Sequence, residues 1–119
     1  MDVDPRARAL YPDPAMEGDL RLIKRVICDV LGDRLERIIL FGSRARGEGT
    51  KHSDYDVLVI LKGELSAEEE MELFDEVTGR LAKHLIPADI VIVSKDEAEY
   101  LAGKVGNVVR SAFREGTTL

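Results

Sequence analysis

Three short apolar runs rich in branched side chains, Arg37–Phe41, Tyr55–Leu61 and Ala88–Val93, constrain this chain more than anything else in it. None of them alternates apolar with polar residues, so each reads as a strand covered on both faces. A sheet of that kind needs helices on either side, and the intervening segments have helical periodicity. Asp13 followed by Pro14 is an N-cap acceptor before a residue suited to the first helical position. From there Leu20, Ile23, Ile27, Val30 and Leu31 recur at helical spacing up to Gly32, although Gly18 is a weak point that would let the helix begin near Asp19. Ser66 and Glu69 have the spacing of a capping box. The helix they open presents Ala67, Met71, Phe74, Val77, Leu81 and Leu85 on one face, and Pro87 stops it. Ser94 and Glu97 form a second such box for a short helix ending near Gly103, and a last helix is expected from Val105 to Arg114, before Gly116 and a short tail. The order predicts an α/β domain with one three-stranded sheet over residues 13–119, after an irregular lead-in at 1–12.

The charge balance removes one class of function. Of the 119 residues, 17 are basic and 23 acidic, a formal charge of −6, whereas a general nucleic-acid binder carries a basic face that neutralises phosphates. Seven acids and no base lie between Glu64 and Glu76, which is the pattern of a helix's solvated face. The single cysteine, Cys28, excludes an internal disulfide and reads as packing beside an apolar stripe. No apolar run reaches membrane-spanning length, and the acidic start Met1-Asp2-Val3-Asp4-Pro5 is unlike a signal peptide, so a cytoplasmic protein without membrane contact is expected.

The segment from Gly42 to Asp56 carries the chemistry. Asp54 and Asp56 lie two apart at the mouth of a strand, so their side chains share a face. Asp89 enters the neighbouring strand at its start, where an apolar residue would pack more cheaply. Three carboxylates meeting at a sheet edge repel one another unless a cation neutralises them, and Mg²⁺ suits oxygen donors that leave room for water and phosphate. Asp-x-Asp alone is common by chance; Asp89 tips the balance. Gly42-Ser43 ends the first strand with a close backbone approach, free N–H groups and a hydroxyl suited to phosphate oxygens. Arg44, Arg46, Lys51 and His52 then stand against one acid, Glu48, so this loop is locally positive in an acidic chain. Tyr55 points to the opposite face from its flanking aspartates and reads as packing, while His52 and His84 read as a solvated residue and a helix C-terminal cation.

Gly42-Ser43-Arg44-Ala45-Arg46-Gly47, then Ser53-Asp54-Tyr55-Asp56-Val57-Leu58-Val59, then Asp89-Ile90-Val91-Ile92, resembles the signature of the DNA polymerase β-like nucleotidyltransferase superfamily, in its minimal nucleotidyltransferase (MNT) branch. The resemblance spans roughly residues 20–115. It implies the nucleotidyltransferase fold, a small mixed three-stranded sheet flanked by helices. It further implies an antitoxin that transfers AMP from ATP to a tyrosine hydroxyl of a HEPN-domain toxin partner, in a homo- or hetero-oligomer. Gly42 and Ser43 would hold the terminal phosphates, Asp54, Asp56 and Asp89 would bind two Mg²⁺ ions, and Asp89 would help activate the acceptor. Arg44 and Arg46 match the pattern as further nucleotide-binding positions. Two other readings stay open: a non-catalytic module that neutralises its partner by binding, and transfer to a small molecule such as an aminoglycoside, which the 26 residues after Val93 leave little room for.

Overall fold

Helix α1 (Pro14–Leu31) opens the computed structural model, which describes residues 14–50 and 53–119. Asp13, the expected lead-in 1–12, Lys51 and His52 lie outside the described residues. The helix runs through Gly18 without a break, so the expected alternative start near Asp19 does not occur. Gly32, at φ +54°, ends it and leads through a 3₁₀ turn into strand β1 (Leu35–Phe41). A four-residue helix α2 (Gly42–Ala45) follows, then β2 (Tyr55–Leu61), α3 (Ala67–Lys83), β3 (Ala88–Ser94), α4 (Lys95–Ala102), α5 (Val108–Glu115) and β4 (Thr117–Thr118).

The sheet is mixed, in the order β3-β2-β1-β4. Strands β2 and β3 are parallel, joined by the crossover helix α3, and β1 is antiparallel to both β2 and β4. Its two faces are covered as the unbroken apolar runs require. Ile38, Leu40, Val57, Val59, Ile90 and Ile92 pack beneath α1 and α3 in one core. Ile39, Phe41, Leu58, Ile60 and Val93 pack with Ala98, Val109 and Ala112 from α4 and α5 in a second.

Local chemistry sets most of the boundaries. Ser66 and Glu69 form the reciprocal capping box at the start of α3. Ser94 caps α4 by accepting from the Glu97 N–H at 3.1 Å. Helix α5 begins three residues later than its periodicity predicts, because Asn107 accepts from the Arg110 N–H and caps it there, after Gly106 at φ +88°.

Two expectations are corrected. The sheet has four strands, the fourth being a two-residue strand in the stretch read as a tail; Gly116 permits it, since a Cβ there would strike the Ile39 side chain and approach the Leu40 carbonyl at 2.9 Å. The apolar face of α3 is only half used. Val77 and Leu81 are fully buried, but Met71 is 67% and Phe74 40% exposed, because the first turns of α3 stand over the outer edge of β3. Leu85 lies beyond the helix end at φ +58°, exposed. Among the described residues no helix is long and apolar enough to cross a membrane.

The two glycines Gly116 and Gly18 should respond oppositely to one methyl group. Gly116→Ala should lose about 1–3 kcal/mol to overpacking, whereas Gly18→Ala, in a helix interior with open space at the Cβ position, should gain about 0.5–1 kcal/mol. Urea unfolding of the two variants checks both signs.

Candidate active site

Sheet register assembles the site. Asp56 stands opposite Phe41 on the antiparallel side and opposite Asp89 on the parallel side, so the end of β1 and the starts of β2 and β3 meet on one line. Asp56 and Asp89 occupy equivalent positions on adjacent strands and therefore point to the same face. That face carries the α4 and α5 core further along the sheet and is open at this end. Asp54 is exposed and immediately precedes β2, while Asp56 is half-buried.

Gly42 follows Phe41 at φ +73°, a conformation that disfavours any side chain. A Cβ there would land on the Asp56 carboxylate, so the backbone at 42 and the Asp56 oxygens are in intimate approach. Burial raises the Asp56 pKa above the ordinary carboxylate value, and the negative charges of Asp89 and Asp54 raise it further, against a smaller opposing effect from Arg46. The three predicted carboxylates thus act on one another electrostatically.

The donor set suits a hard cation. Among the described residues no group of three or more acidic, histidine or cysteine side chains is placed to hold a metal ion on its own. Mg²⁺ does not require one, since it keeps several waters and shares its shell with substrate phosphates, using only a few carboxylates. Two in-register aspartates with a third beside them fit that requirement.

Asp89 needs one correction. It is exposed at the tip of an edge strand, so it is not a charge held against an apolar environment. Its place in the site comes from register with Asp56, not from unfavourable burial.

The remaining predicted residues divide. Ser43 sits half-buried in the first turn of α2, beside Gly42. Arg44, expected at the nucleotide, is turned inward and only 5% exposed. Its Nε and Nη2 donate to the Ser53 carbonyl at 3.1 and 2.9 Å, and its guanidinium lies 4.3 Å from the centroid of the Tyr55 ring. Gly49 packs against the Arg44 side chain so closely that a Cβ would come within 2.8 Å of Cδ. Arg44 therefore clamps the loop that delivers Asp54. Arg46 is solvent-facing and pairs with Glu48 at 3.0 Å and with Glu115, at the end of α5, at 3.3 Å. Among the described residues it is the cation whose field reaches Asp56.

Several supporting contacts carry no signal in the sequence. Tyr55, fully buried as expected of packing, also donates from its hydroxyl to Asp19 of α1 at 2.7 Å, and its N–H bonds the Pro87 carbonyl at 2.9 Å. Ser53 accepts from the Thr50 N–H on its Oγ and returns its own N–H to the Thr50 carbonyl. Glu115 had no local signal, since its partner is 69 residues away.

Comparison with known proteins places the arrangement. The model of a family described as polymerase beta, nucleotidyltransferase, matches residues 27–111, which include Gly42, Ser43, Arg44, Arg46, Asp54, Asp56 and Asp89. Two Methanocaldococcus jannaschii proteins, each named "putative protein adenylyltransferase", are similar to this chain. One is 33% identical over 76 residues, covering 64% of this chain and 77% of the relative. The other is 36% identical over 88 residues, covering 72% and 79%. Among solved structures, a "putative nucleotidyltransferase" from Sulfolobus solfataricus superimposes with a TM-score of 0.54 at 23% identity, covering 89% of this chain and 86% of that one. A complex described as a tri-AMPylated Shewanella oneidensis HEPN toxin with MNT antitoxin matches with a TM-score of 0.51 at 18% identity, covering 86% and 69%. At those identities the two structures attest the fold, a small sheet flanked by helices.

The two arginines should separate on substitution. Arg44→Lys keeps the charge but loses the bidentate bond and the stack, and should cost about 1–3 kcal/mol; Arg46→Lys, at exposed ion pairs, should leave the unfolding midpoint near wild type. Chemical denaturation of both variants measures the difference. The crowded carboxylates give a pH signature. Because the folded-state pKa of Asp56 is raised, its ionisation destabilises the fold once pH exceeds its ordinary value of 3.8. Asp56→Asn should make the metal-free protein more stable at pH 7, by up to about 1 kcal/mol after solvent screening, and the gain should vanish below pH 3.8. Thermal unfolding in EDTA across that range checks it.

Proposed function

The chain belongs to the polymerase beta nucleotidyltransferase family, and from that premise we propose that it is an antitoxin that transfers AMP from ATP to a tyrosine hydroxyl of a HEPN-domain toxin. The observation that carries the reading is the register of Asp56 with Asp89 beside the side-chain-free approach of Gly42. The adenylyltransferase names of two relatives support the reaction, and the toxin complex among the structural neighbours supports the partner.

In this reading Asp54, Asp56 and Asp89 hold Mg²⁺, which when bound neutralises phosphate charge and makes a nearby hydroxyl more acidic. Gly42 brings its backbone against the nucleotide's terminal phosphates, and Ser43 offers its N–H and hydroxyl to their oxygens. The acceptor oxygen attacks the α-phosphorus while the bond from that phosphorus to the bridging oxygen of the β-phosphate breaks and pyrophosphate leaves. Asp89, exposed at the tip of β3, takes up the hydroxyl proton. Most of the protein's contribution is alignment, and the Arg44 clamp serves it by holding the Ser53 carbonyl one residue before Asp54.

Incubation with ATP, Mg²⁺ and a HEPN-domain partner, followed by intact mass, tests the reading. A gain of AMP on the partner is expected with the wild-type chain, and Asp56→Asn should lower the rate by roughly three orders of magnitude or more. Neutralisation of the partner by both proteins without any adduct would replace transfer with simple complex formation.

A further inference from the structure

The outer edge of β3 is an open hydrogen-bonding ladder beside an apolar shelf. Strand β3 pairs with β2 on one side only, and among the described residues no backbone hydrogen bond reaches its other side. The seven residues Ala88–Ser94 contain no proline or lysine, two common guards of an exposed edge. Over this edge stand Met71 and Phe74, large apolar side chains left uncovered on the same helix that buries Val77 and Leu81 completely. Together with Ala67, Glu70, Ile90, Val91 and Ile92 they line a groove of about 460 Å³.

The groove lies on the opposite face of the sheet from the carboxylates, since Ile90 and Ile92 turn toward α3 while Asp89 turns the other way. The edge itself links the two: a chain paired along β3 runs past Ile90 to Asp89 at the strand's tip. The geometry points to this groove as the docking track for the acceptor protein: an extended, apolar segment flanked by basic residues, added to β3 as a fifth strand. This rests on the protein-acceptor reading above and says how the acceptor is held.

Three arguments select that occupant. Only another extended backbone satisfies the free N–H and C=O groups of the ladder; a helix laid across it would bury them unpaired. The shelf's rim is acidic, with Glu68, Glu70, Glu72 and Asp75 around Met71 and Phe74 and no base on α3 before Arg80, so lysine or arginine beside the apolar residues is matched. A second copy of this chain fits poorly, since pairing β3 with itself would bring two such rims together from chains of net charge −6. Strand addition of this kind draws affinity from the main chain and specificity from alternate side-chain pockets.

Hydrogen exchange with the full-length chain and a HEPN-domain protein tests the inference, beside transfer kinetics. Backbone amides within 88–94 should exchange about tenfold or more slowly in the complex than in the free chain. The double variant Met71→Arg/Phe74→Arg, at exposed positions, should raise KM for the partner about tenfold or more while kcat at saturating partner, nucleotide affinity and Tm stay near wild type. Complex formation without slowing in 88–94, no complex at all, or an unchanged KM in the double variant each overturns the track. Slowing that grows with the concentration of the chain alone assigns the edge to a second copy and overturns it equally. Slowing by the partner with no AMP adduct upholds the track and refutes transfer, so the two ideas fail separately.

Discussion

Everything at the site hangs on Tyr55, the residue between the two aspartates. Its ring is fully buried, its hydroxyl is bonded to Asp19 of α1, its N–H is bonded to the Pro87 carbonyl ahead of β3, and the Arg44 guanidinium lies on its ring. One residue thus ties the first helix, the loop and two strands to a common point. Asp54 and Asp56 flank that point and project the other way, toward solvent and one another. Carboxylates that repel stay close only if their backbone is held by something that does not depend on them, and the Tyr55 contacts on the opposite face provide that hold.

The charge of the chain separates into populations with different physics. On α3 the acids sit on the wet side of a helix and at its first turn, where the helix dipole favours them. At the strand ends burial, and then the neighbouring acids, raise the Asp56 pKa, which marks a place where negative charge is costly without a counter-ion. Among the described residues Arg46 is the cation near enough to moderate Asp56, and it is shared with Glu48 and Glu115. Net negative charge in this arrangement repels an anionic ligand unless a cation accompanies it.

Much of this could be read from residues in order, and the reasons are local. The three strands announce themselves because burial on both faces demands unbroken apolar runs, and Ser66 and Ser94 mark helix starts because capping acts over three residues. Asp56 and Asp89 each fall at the beginning of a strand, so parallel pairing would set them side by side. Other features depend on partners far away in the chain. The inward turn of Arg44 needs the Ser53 carbonyl and the Tyr55 ring in place, and the pairing of Arg46 with Glu115 needs α5 folded back. Thr117–Thr118 is too short to signal a strand and exists because Gly116 lets α5 sit close to β1. Periodicity correctly aligned Met71 and Phe74 with Val77 and Leu81, but it cannot tell where the sheet beneath a helix stops.

Gly42 has a consequence for how such a protein can diversify. A side chain at that position would occupy the space of the Asp56 carboxylate, so inheritance has no conservative alternative to try there. Arg44 and Gly49 are locked to each other in the same way. Variation that leaves these contacts intact is therefore channelled into the surfaces around the strand tips. The backbone geometry at the strand ends is held constant by a shortage of space, while the periphery is left free to vary.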